Sequence, residues 1–463
     1  MLNALLNVFR TPELRNKILI TMALLVVCRI GVYVPIPGVN TRAVAKSLAA
    51  KQQGEGGEGL PTRVVNLVDM FTGGALYRCT VFALGVMPYI SASIIFQLLT
   101  TVWKPLEELA KEGEAGRKKI QQYERYATVL LCIIQGLFVA RYVAKLEAPS
   151  GMRFVENDNL IYYLNAAFAI TAGTMFLMWI GEQISEFGIG NGVSLIIMAG
   201  IVARMPAAIW EMAQTKFELK LSAESTGRFG LLMAVLLVFM YLAVVVGVVI
   251  IQQAQRRITV QQAKHTRGRR VYGGQQHFLP LRVNQAGVIP IIFAQSLLYF
   301  PAIVVMFIAD RLGAGYFRDF LQNVGQQLQH GFLYVLLYIG MIFFFCFFWT
   351  AVVFNPIKMA DDLKQYGHFI PGIRPGSRTA DYLEKLMTRI TLAGAAFLAA
   401  IAILPFVINR GLDLGYGAAS LYGGTGLLIV VGVALDVLQK VDSHLVMRNY
   451  PGFLKSGRIR GRR

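Results

Sequence analysis

The sequence predicts an all-α polytopic membrane protein with ten transmembrane helices. The chain of 463 residues is 55% hydrophobic and only 15% charged, and its mean hydropathy of +0.53 is too high for a soluble globular protein. Long apolar windows recur along it, each close to the roughly 20 residues that a helix needs to cross about 30 Å of hydrocarbon. The windows are continuous and not alternating, which excludes the strands of an outer-membrane barrel.

Ten apolar windows are the predicted spans. No cleavable signal peptide is evident, because "MLNALLNVFRTPELRNK" leads into a span and not into a small-residue cleavage site. The whole chain, 1–463, is therefore predicted to be one membrane-embedded domain. The spans cover residues 18–36, 79–102, 126–144, 161–180, 192–210, 230–251, 286–308, 332–354, 390–408 and 420–438.

Lysine and arginine predict the orientation. If the N-terminus is cytosolic, roughly twice as many of these residues fall in cytosolic loops as in the opposite loops, as the positive-inside rule requires. We therefore expect both termini to be cytosolic.

A net charge of +19 is concentrated in two cytosolic loops, 253–285 and 355–389. Orientation and attraction to anionic lipid would explain such charges. A docking surface for an acidic or nucleic-acid partner would explain them as well. The length of the loops and their glycine and proline punctuation favour projecting hairpins, and hence docking. The candidate residues are Arg256, Arg257, Lys264, Arg267, Arg269 and Arg270 in the first loop and Arg374 and Arg378 in the second.

The sequence argues against an enzyme, a metal site or a cofactor. All five histidines lie outside the predicted spans, no HExxH motif occurs, and the four cysteines are scattered singly through apolar segments. An ion-coupled secondary transporter is the alternative function. Such proteins usually bury charged or histidine ligands near the bilayer midplane. Because the middles of the ten spans contain no Asp, Glu or His, a transporter is disfavoured.

The stretch from Asp69 to Thr100 differs from a plain lipid anchor. Gly73 and Gly74 would break a largely apolar half-helix, 64–72, away from the span that follows, leaving a short element that could enter from one side of the membrane. A pathway lined by aliphatic side chains would suit a cargo of mixed chemistry, and a narrow apolar neck also resists ion flow.

At several places along its length the chain resembles the SecY family of protein-translocation channels. The matching stretches have different compositions and occur in the expected order. They are RIGVYVPIPG (29–38), MFTGGALYR (70–78), FALGVMPYISASII (82–95), GTMFLMWIGEQISEFGIGNGVS (173–194), LPLRVNQAGVIPIIFA (279–294), FNPIKMADDLK (354–364), PGIRPG (371–376) and GGTGLLIVVGVALD (423–436).

The resemblance implies two five-helix halves around a central pore. The first half, 1–210, would hold spans 1–5, and the second, 211–463, would hold spans 6–10. A plug of about residues 62–74 would fill the outer funnel, and the second and seventh spans would form a lateral gate into lipid. The chain would conduct unfolded secretory polypeptides and release hydrophobic segments into the membrane.

The resemblance also assigns residues, each of which has a plainer explanation. A single aliphatic residue in a span is usually core or lipid-facing, Arg78 would otherwise be an interfacial charge, and Pro88 would kink its helix, which in a gate helix could act as a hinge. The plug would include Val65, Val68, Asp69, Met70, Phe71, Thr72, Gly73 and Gly74, with Arg78 beside it in the plug and signal region. The pore ring would be Val86, Ile90, Val193, Ile197, Ile292 and Ile429, with valine at 86 and 193 where isoleucine is common in the family.

The resemblance further implies partners and location. The two basic loops would bind the ribosome, including its RNA, or the SecA ATPase, which supply the energy. Small SecE and SecG subunits would clasp the bundle. Signal sequences, unfolded preproteins and membrane lipid would complete the contacts, in the inner membrane of a bacterial cell.

Overall fold

The structure is a computed structural model in which helices predominate. It describes residues 12–52, 69, 71–144, 152–155, 158–218, 227–262, 265–267, 270–272, 274, 276–294, 297–298, 305, 315–330, 332–412 and 424–449.

The described helices, in chain order, have the following bounds. They are α1 Pro12–Gly31, α2 Thr41–Gln52, α3 Met87–Val102, α4 Lys104–Lys111, α5 Glu114–Ala144, α6 Leu160–Phe187, α7 Gly192–Glu218, α8 Gly227–Gln253, α9 Tyr316–His330, α10 Phe332–Val353, α11 Pro356–Gln365, α12 Ser377–Leu412 and α13 Gly424–Asn449. The described strands are β1 Gln255–Gln262, β2 His265–Arg267, β3 Arg270–Tyr272, β4 Gln276–Arg282 and β5 His368–Phe369.

Helices α1, α3, α5, α6, α7, α8, α10, α12 and α13 lie over predicted spans, whereas the seventh predicted span, 286–308, is described only in part. Among the described residues, four helical segments are long and apolar enough to cross a membrane by length and composition. They are Glu114–Ala144, Leu160–Phe187, Leu333–Gln365 and Ser377–Ile408. Shorter apolar helices are Met87–Val102, Gly192–Pro206 and Val238–Gln253.

Large apolar side chains are exposed along these helices. Ile30 on α1, Phe138 on α5, Phe168 on α6 and Phe239 on α8 each expose more than half of their surface. A soluble monomer rarely exposes so much apolar area. The surface therefore fits a hydrocarbon solvent, as the composition predicts.

The second predicted span begins later than expected. Residues 73–86 form turns, and helix α3 starts only at Met87. Cys79 (φ 50°) and Gly85 (φ 56°) adopt the left-handed conformation, which a right-handed helix does not accept. Predicting helix for 79–86 was therefore wrong, because the apolar character of this stretch serves burial in the protein and not a helix.

The chain divides into two compact units. Unit 1 comprises Met1–Ala213 with Val433–Arg463, and unit 2 comprises Gln214–Gly432. In unit 1, α5 and α6 pack closely at Gly136, where an added Cβ would lie 3.3 Å from the Cα of Ala167. Arg125 on α5 joins the same two helices by donating two hydrogen bonds of 2.9 Å to the Glu182 carboxylate.

Unit 2 contains a helical part and a small sheet. Tyr334 and Tyr338 of α10 are fully buried and stack on each other, and the Phe406 ring of α12 contacts Tyr334 at a tilted angle and Tyr338 edge-on. The three-stranded sheet has the order β4-β1-β5, with both pairings antiparallel, and β2 and β3 form a separate two-stranded hairpin.

Candidate functional site

The described part of the predicted plug lies buried inside unit 1. Asp69 has no exposed surface, and Phe71, Thr72 and Gly73 are also buried. Val65, Val68 and Met70, which were predicted as plug residues, lie outside the described residues. Residue 69 and residues 71–74 are thus held within the protein, although this stretch is too short to span a membrane.

The seat of this segment is a close backbone approach to helix α7. A Cβ added to Gly200 of α7 would lie 2.9 Å from the carbonyl oxygen of Phe71, and one added to Gly73 would lie 2.8 Å from the Gly200 Cα and against the Arg29 guanidinium. Gly73 also has a left-handed φ of 67°. Because real Cβ atoms do not approach so closely, glycine at both positions is what lets the segment sit here.

A second close contact joins Thr72 to the turn before α3. A Cβ added to Gly85 would lie 2.8 Å from the Thr72 methyl group. The turn that precedes α3 therefore packs directly on residue 72, so the start of α3 and the segment 69–74 share one packed surface.

Polar contacts converge on Asp69. Its Oδ2 lies 2.7 Å from the Nη1 of Arg204 on α7, and its Oδ1 accepts a hydrogen bond of 3.0 Å from the Tyr77 backbone N–H. The backbone N–H of Gly74 donates to the Asp69 carbonyl at 3.1 Å. Burial, with the neighbouring Asp69 charge, raises the pKa of the Tyr77 phenol, so that group stays neutral.

Arg29, inside the first predicted span, completes these contacts. Its Nη1 and Nη2 atoms lie 3.4 and 3.5 Å from the carbonyl oxygen of Gly73, to which they donate. Sequence reasoning missed both Arg29 and Arg204 as site residues. An arginine inside an apolar window is itself a functional signal, because it is costly there without a partner.

Arg78 lies next to this segment but contacts a different element. Its guanidinium carbon lies 4.4 Å from the centroid of the Tyr33 ring, in the loop after α1, a cation–π distance. The adjacent backbone is tied to the same loop, since Ile36 N–H donates to the Cys79 carbonyl at 2.9 Å and Val81 N–H donates to the Val34 carbonyl at 3.0 Å.

The predicted pore-ring residues are divided between the two units. In unit 1, Val86 and Ile90 are one turn apart at the start of α3, and Val193 and Ile197 are one turn apart in the first two turns of α7. Ile292 and Ile429 belong to unit 2. Val86, Ile197 and Ile429 are buried, and Ile90, Val193 and Ile292 are half-buried.

Pro88 occupies the first turn of α3 and not its middle. A proline there removes no helical hydrogen bond, since the first backbone N–H groups of a helix have no partner within it. The kink expected at Pro88 is therefore wrong, and any bending of this region is expected in the turns before α3.

The two predicted basic loops join in one sheet. Strand β5 of the second loop pairs with β1 of the first, with Gln261 opposite Phe369 and Gln262 opposite His368. The sheet packs on α11 and α12 through a shared apolar core. That core includes Ile258, Val260, Leu281, Phe354, Ile370, Leu383, Leu386, Met387 and Ile390. The sequence predicted separate hairpins and did not reveal this pairing.

The candidate docking residues lie on this sheet and its turns. Arg256 and Arg257 are exposed on β1, and Arg374 and Arg378 are exposed around the start of α12. Arg267 and Arg270 face each other in register at the end of the β2–β3 hairpin. Lys264 and Arg269 lie outside the described residues.

The turn that carries Arg374 is fixed by backbone contacts. The hydroxyl of Thr379 donates to the Arg374 carbonyl at 2.9 Å, and the backbone N–H of Ile373 donates to the Ile370 carbonyl at 3.1 Å. Pro371 and Pro375 flank the turn. The exposed guanidinium therefore projects from a defined backbone, which suits recognition of a carboxylate or phosphate.

Comparisons with known proteins agree with the resemblance seen in the sequence. The SecY family model matches residues 80–438. The protein translocase subunit SecY of Escherichia coli K12 is 44% identical over 450 residues, covering 97% of this chain and 96% of that protein. The protein translocase subunit SecY of Thermotoga maritima is 40% identical over 467 residues and covers both chains completely.

Solved structures share the fold at low sequence identity. A protein-conducting channel has a TM-score of 0.58 at 16% identity, with 95% of each chain covered. A SecY structure described by its plug domain has a TM-score of 0.57 at 18% identity, again covering 95% of each chain. The length of the sequence match, together with this shared fold, shows that the chain belongs to the SecY family.

Proposed function

We propose that this chain is the protein-conducting channel of the general secretory pathway. The relatives that match it over nearly their full length are protein translocase subunits, and the family is one of channels and not of enzymes. The observation that carries the proposal is the run of turns from Gly73 to Val86, most of it buried in unit 1, which follows the buried residues Asp69, Phe71 and Thr72 and precedes an apolar helix. An ion-coupled transporter has no need of such a segment.

The segment 69–74 is the described part of the plug in this proposal. Two close glycine approaches and a few polar contacts hold it, which supports an element that closes the pore at rest and leaves when a polypeptide enters. The turns 75–86 are held to the loop after α1 by backbone hydrogen bonds, so they would serve as the fixed end about which the plug moves.

The ten spans would form two five-helix halves around the pore, with both termini cytosolic. Val86, Ile90, Val193, Ile197, Ile292 and Ile429 would form the aliphatic neck. Helix α3 and the seventh span would open laterally, so that a hydrophobic segment gains free energy on entering lipid, at about 25 cal/mol per Å² of apolar surface removed from water. A polar polypeptide would remain in the pore and cross.

The joined basic sheet would dock the energy source. SecA, through its carboxylates, and the ribosome, through its RNA phosphates, would bind the same residues alternately, namely Arg256, Arg257, Arg374 and Arg378. The small SecE and SecG subunits would hold the helical bundle together. The shared core beneath the sheet supports this proposal, because it makes one rigid surface out of two loops. A movement of this surface would reach the membrane through α12, which continues from it without a break.

The test is protease protection of a radiolabelled secretory precursor. Liposomes contain the full chain with its small partner subunits, and SecA and ATP are added outside. Protection of the full-length precursor only when ATP is present is the expected result. Absence of protection with an intact complex and active SecA would overturn the proposal, and solute-flux assays would then test the transporter.

The same assay tests the docking surface. Arg374→Glu places a repelling charge at the fixed turn and should abolish protection while leaving the complex intact. The matched control is Lys358→Glu, an exposed residue on neighbouring α11. Equal loss of protection in both variants would mean that the partner responds to the net charge of the loop and does not recognise the turn at Arg374 specifically.

A further inference from the structure

We infer that Arg204 is a positioning residue that holds the plug in its closed seat through an ion pair with Asp69. The inference rests on the proposed role of the segment 69–74 as a plug. Neither residue emerges from the sequence as half of a pair, since they are far apart in the chain and one lies in a segment that reads as apolar.

The two charged groups of the pair lie close together. The Nη1 of Arg204 lies 2.7 Å from the Oδ2 of Asp69, and the Asp69 side chain has no exposed surface. The second carboxylate oxygen accepts the Tyr77 N–H. One carboxylate oxygen therefore lies beside a counter-charge and the other accepts a hydrogen bond, and a buried carboxylate needs such neighbours.

The position of the pair on α7 makes it specific for the closed seat. Arg204 is one helical turn beyond Gly200, the residue against which Phe71 and Gly73 rest. The glycine contact requires the plug backbone to be fully seated, and only a seated plug brings Asp69 to Arg204. The backbone contacts at Gly200 and the Arg204–Asp69 ion pair therefore form together and break together.

The pair stabilises the closed state without making it permanent. The Arg204 side chain is 39% exposed, so its charge remains partly hydrated when the pair breaks. Asp69 recovers hydration when the plug leaves, and this offsets much of the lost attraction. The free-energy cost of opening is thereby lowered.

Removing one partner has a different consequence from removing both. Arg204→Gln leaves the Asp69 carboxylate buried without its counter-charge, which favours the displaced, hydrated plug. Asp69→Asn combined with Arg204→Gln removes both charges, and the new amide still accepts the Tyr77 N–H. The double variant should therefore close better than Arg204→Gln alone, which is the non-additivity expected of a direct contact.

The experiment measures where the plug is in the absence of cargo. Thr72→Cys is introduced into the full chain, reconstituted with its small partner subunits in vesicles of phosphatidylethanolamine and phosphatidylglycerol. A membrane-impermeant maleimide reports how often residue 72, buried when the plug is seated, is exposed. The parent chain without Thr72→Cys gives the background from its four buried cysteines.

We expect Arg204→Gln to raise the labelling rate and the resting potassium efflux by about tenfold. Arg204→Lys, which keeps the charge, and the double variant should each return most of the way to the parent. Arg42→Gln, an exposed arginine in α2 of the same unit, should change neither rate. Thermal unfolding of each complex in detergent separates a displaced plug from a damaged fold.

Equal labelling of Arg204→Gln and the double variant would overturn the inference, because the charges would then not be coupled. Labelling of Arg204→Gln at the parent rate would overturn it as well. The precursor-protection assay on the unaltered chain is read separately. Its failure would remove the proposed channel function, whereas unchanged labelling with normal protection would remove only the role of Arg204.

Discussion

At the scale of single residues, the proposed closed position of the plug depends on the absence of side chains at two glycines. Gly73 and Gly200 let two backbones approach more closely than any Cβ permits. Gly73 and Gly74 are both left-handed, at φ 67° and 95°, but they differ in their surroundings. A Cβ at Gly74 would meet nothing within 4 Å, so the two positions separate packing from backbone strain.

This difference gives a paired prediction. Gly74→Ala should add only the strain of a left-handed alanine, about 1–2 kcal/mol. Gly73→Ala should add a collision with Arg29 and Gly200 besides, so that the plug is displaced. We expect the resting potassium efflux of reconstituted vesicles to rise several-fold more in Gly73→Ala than in Gly74→Ala. Equal effects of the two variants would show that the close approach at Gly73 does not hold the plug.

Single residues also show which features of the site can be predicted from the sequence. Paired glycines ahead of an apolar run predict an interruption of the helix, and turns do begin at Gly73. Arg29 and Arg204 could be counted for topology, but their partners are a backbone carbonyl and a carboxylate far away in the chain. Such pairs depend on how the helices pack, which no local pattern encodes.

At the scale of elements, the three-stranded sheet explains how two loops form one surface. Strand β1 is central, with β4 of its own hairpin on one side and β5 of the second loop on the other. Ile258 and Val260 of β1 face Leu383 and Leu386 of α12 across one apolar core. The sheet therefore depends on α12 for its stability, and small isolated sheets have little stability of their own.

A core substitution tests this dependence. Leu383 is fully buried, and Leu383→Ala should cost about 2–5 kcal/mol through lost burial and a residual cavity. We expect the hairpins of the sheet to become sensitive to limited proteolysis while the membrane helices stay protected. Lys385→Ala, an exposed position on the same helix, is the control. An unchanged cleavage pattern in Leu383→Ala would show that the sheet is held by other contacts.

Elements were predicted best where periodicity and length agree. Helices α5, α6, α10 and α12 follow from apolar windows of membrane-spanning length. The start of α3 was misplaced because residues 79–86 are equally apolar although they form turns. The apolar composition of residues 79–86 indicates that they are buried but does not determine their backbone conformation. That conformation depends on the left-handed residues Cys79 and Gly85 and on the hydrogen bonds to the loop after α1.

At the scale of the whole molecule, the chain combines a strongly basic charge with extensive exposed apolar surface. Its net charge is +19, exposed arginines of unit 2 lie on the sheet and its turns, and the described helices expose apolar side chains. A basic surface of this kind binds phosphates by releasing counterions, so its affinity depends steeply on salt. Binding to carboxylates on a folded protein depends on fewer, fixed pairs.

This difference supports a prediction about the ribosome. The affinity of the complex in lipid nanodiscs for ribosomes should fall at least about a hundredfold between about 50 and about 200 mM salt. Replacing both Arg374 and Arg378 with glutamine should lower the slope of log affinity against log salt by about two, because each phosphate contact contributes about one unit. Replacing Arg117 and Lys118, exposed on α5 of unit 1, with glutamine controls for net charge. If the affinity changed little with salt, the sheet would not be contacting RNA phosphates, and carboxylates of a protein partner would be its ligands.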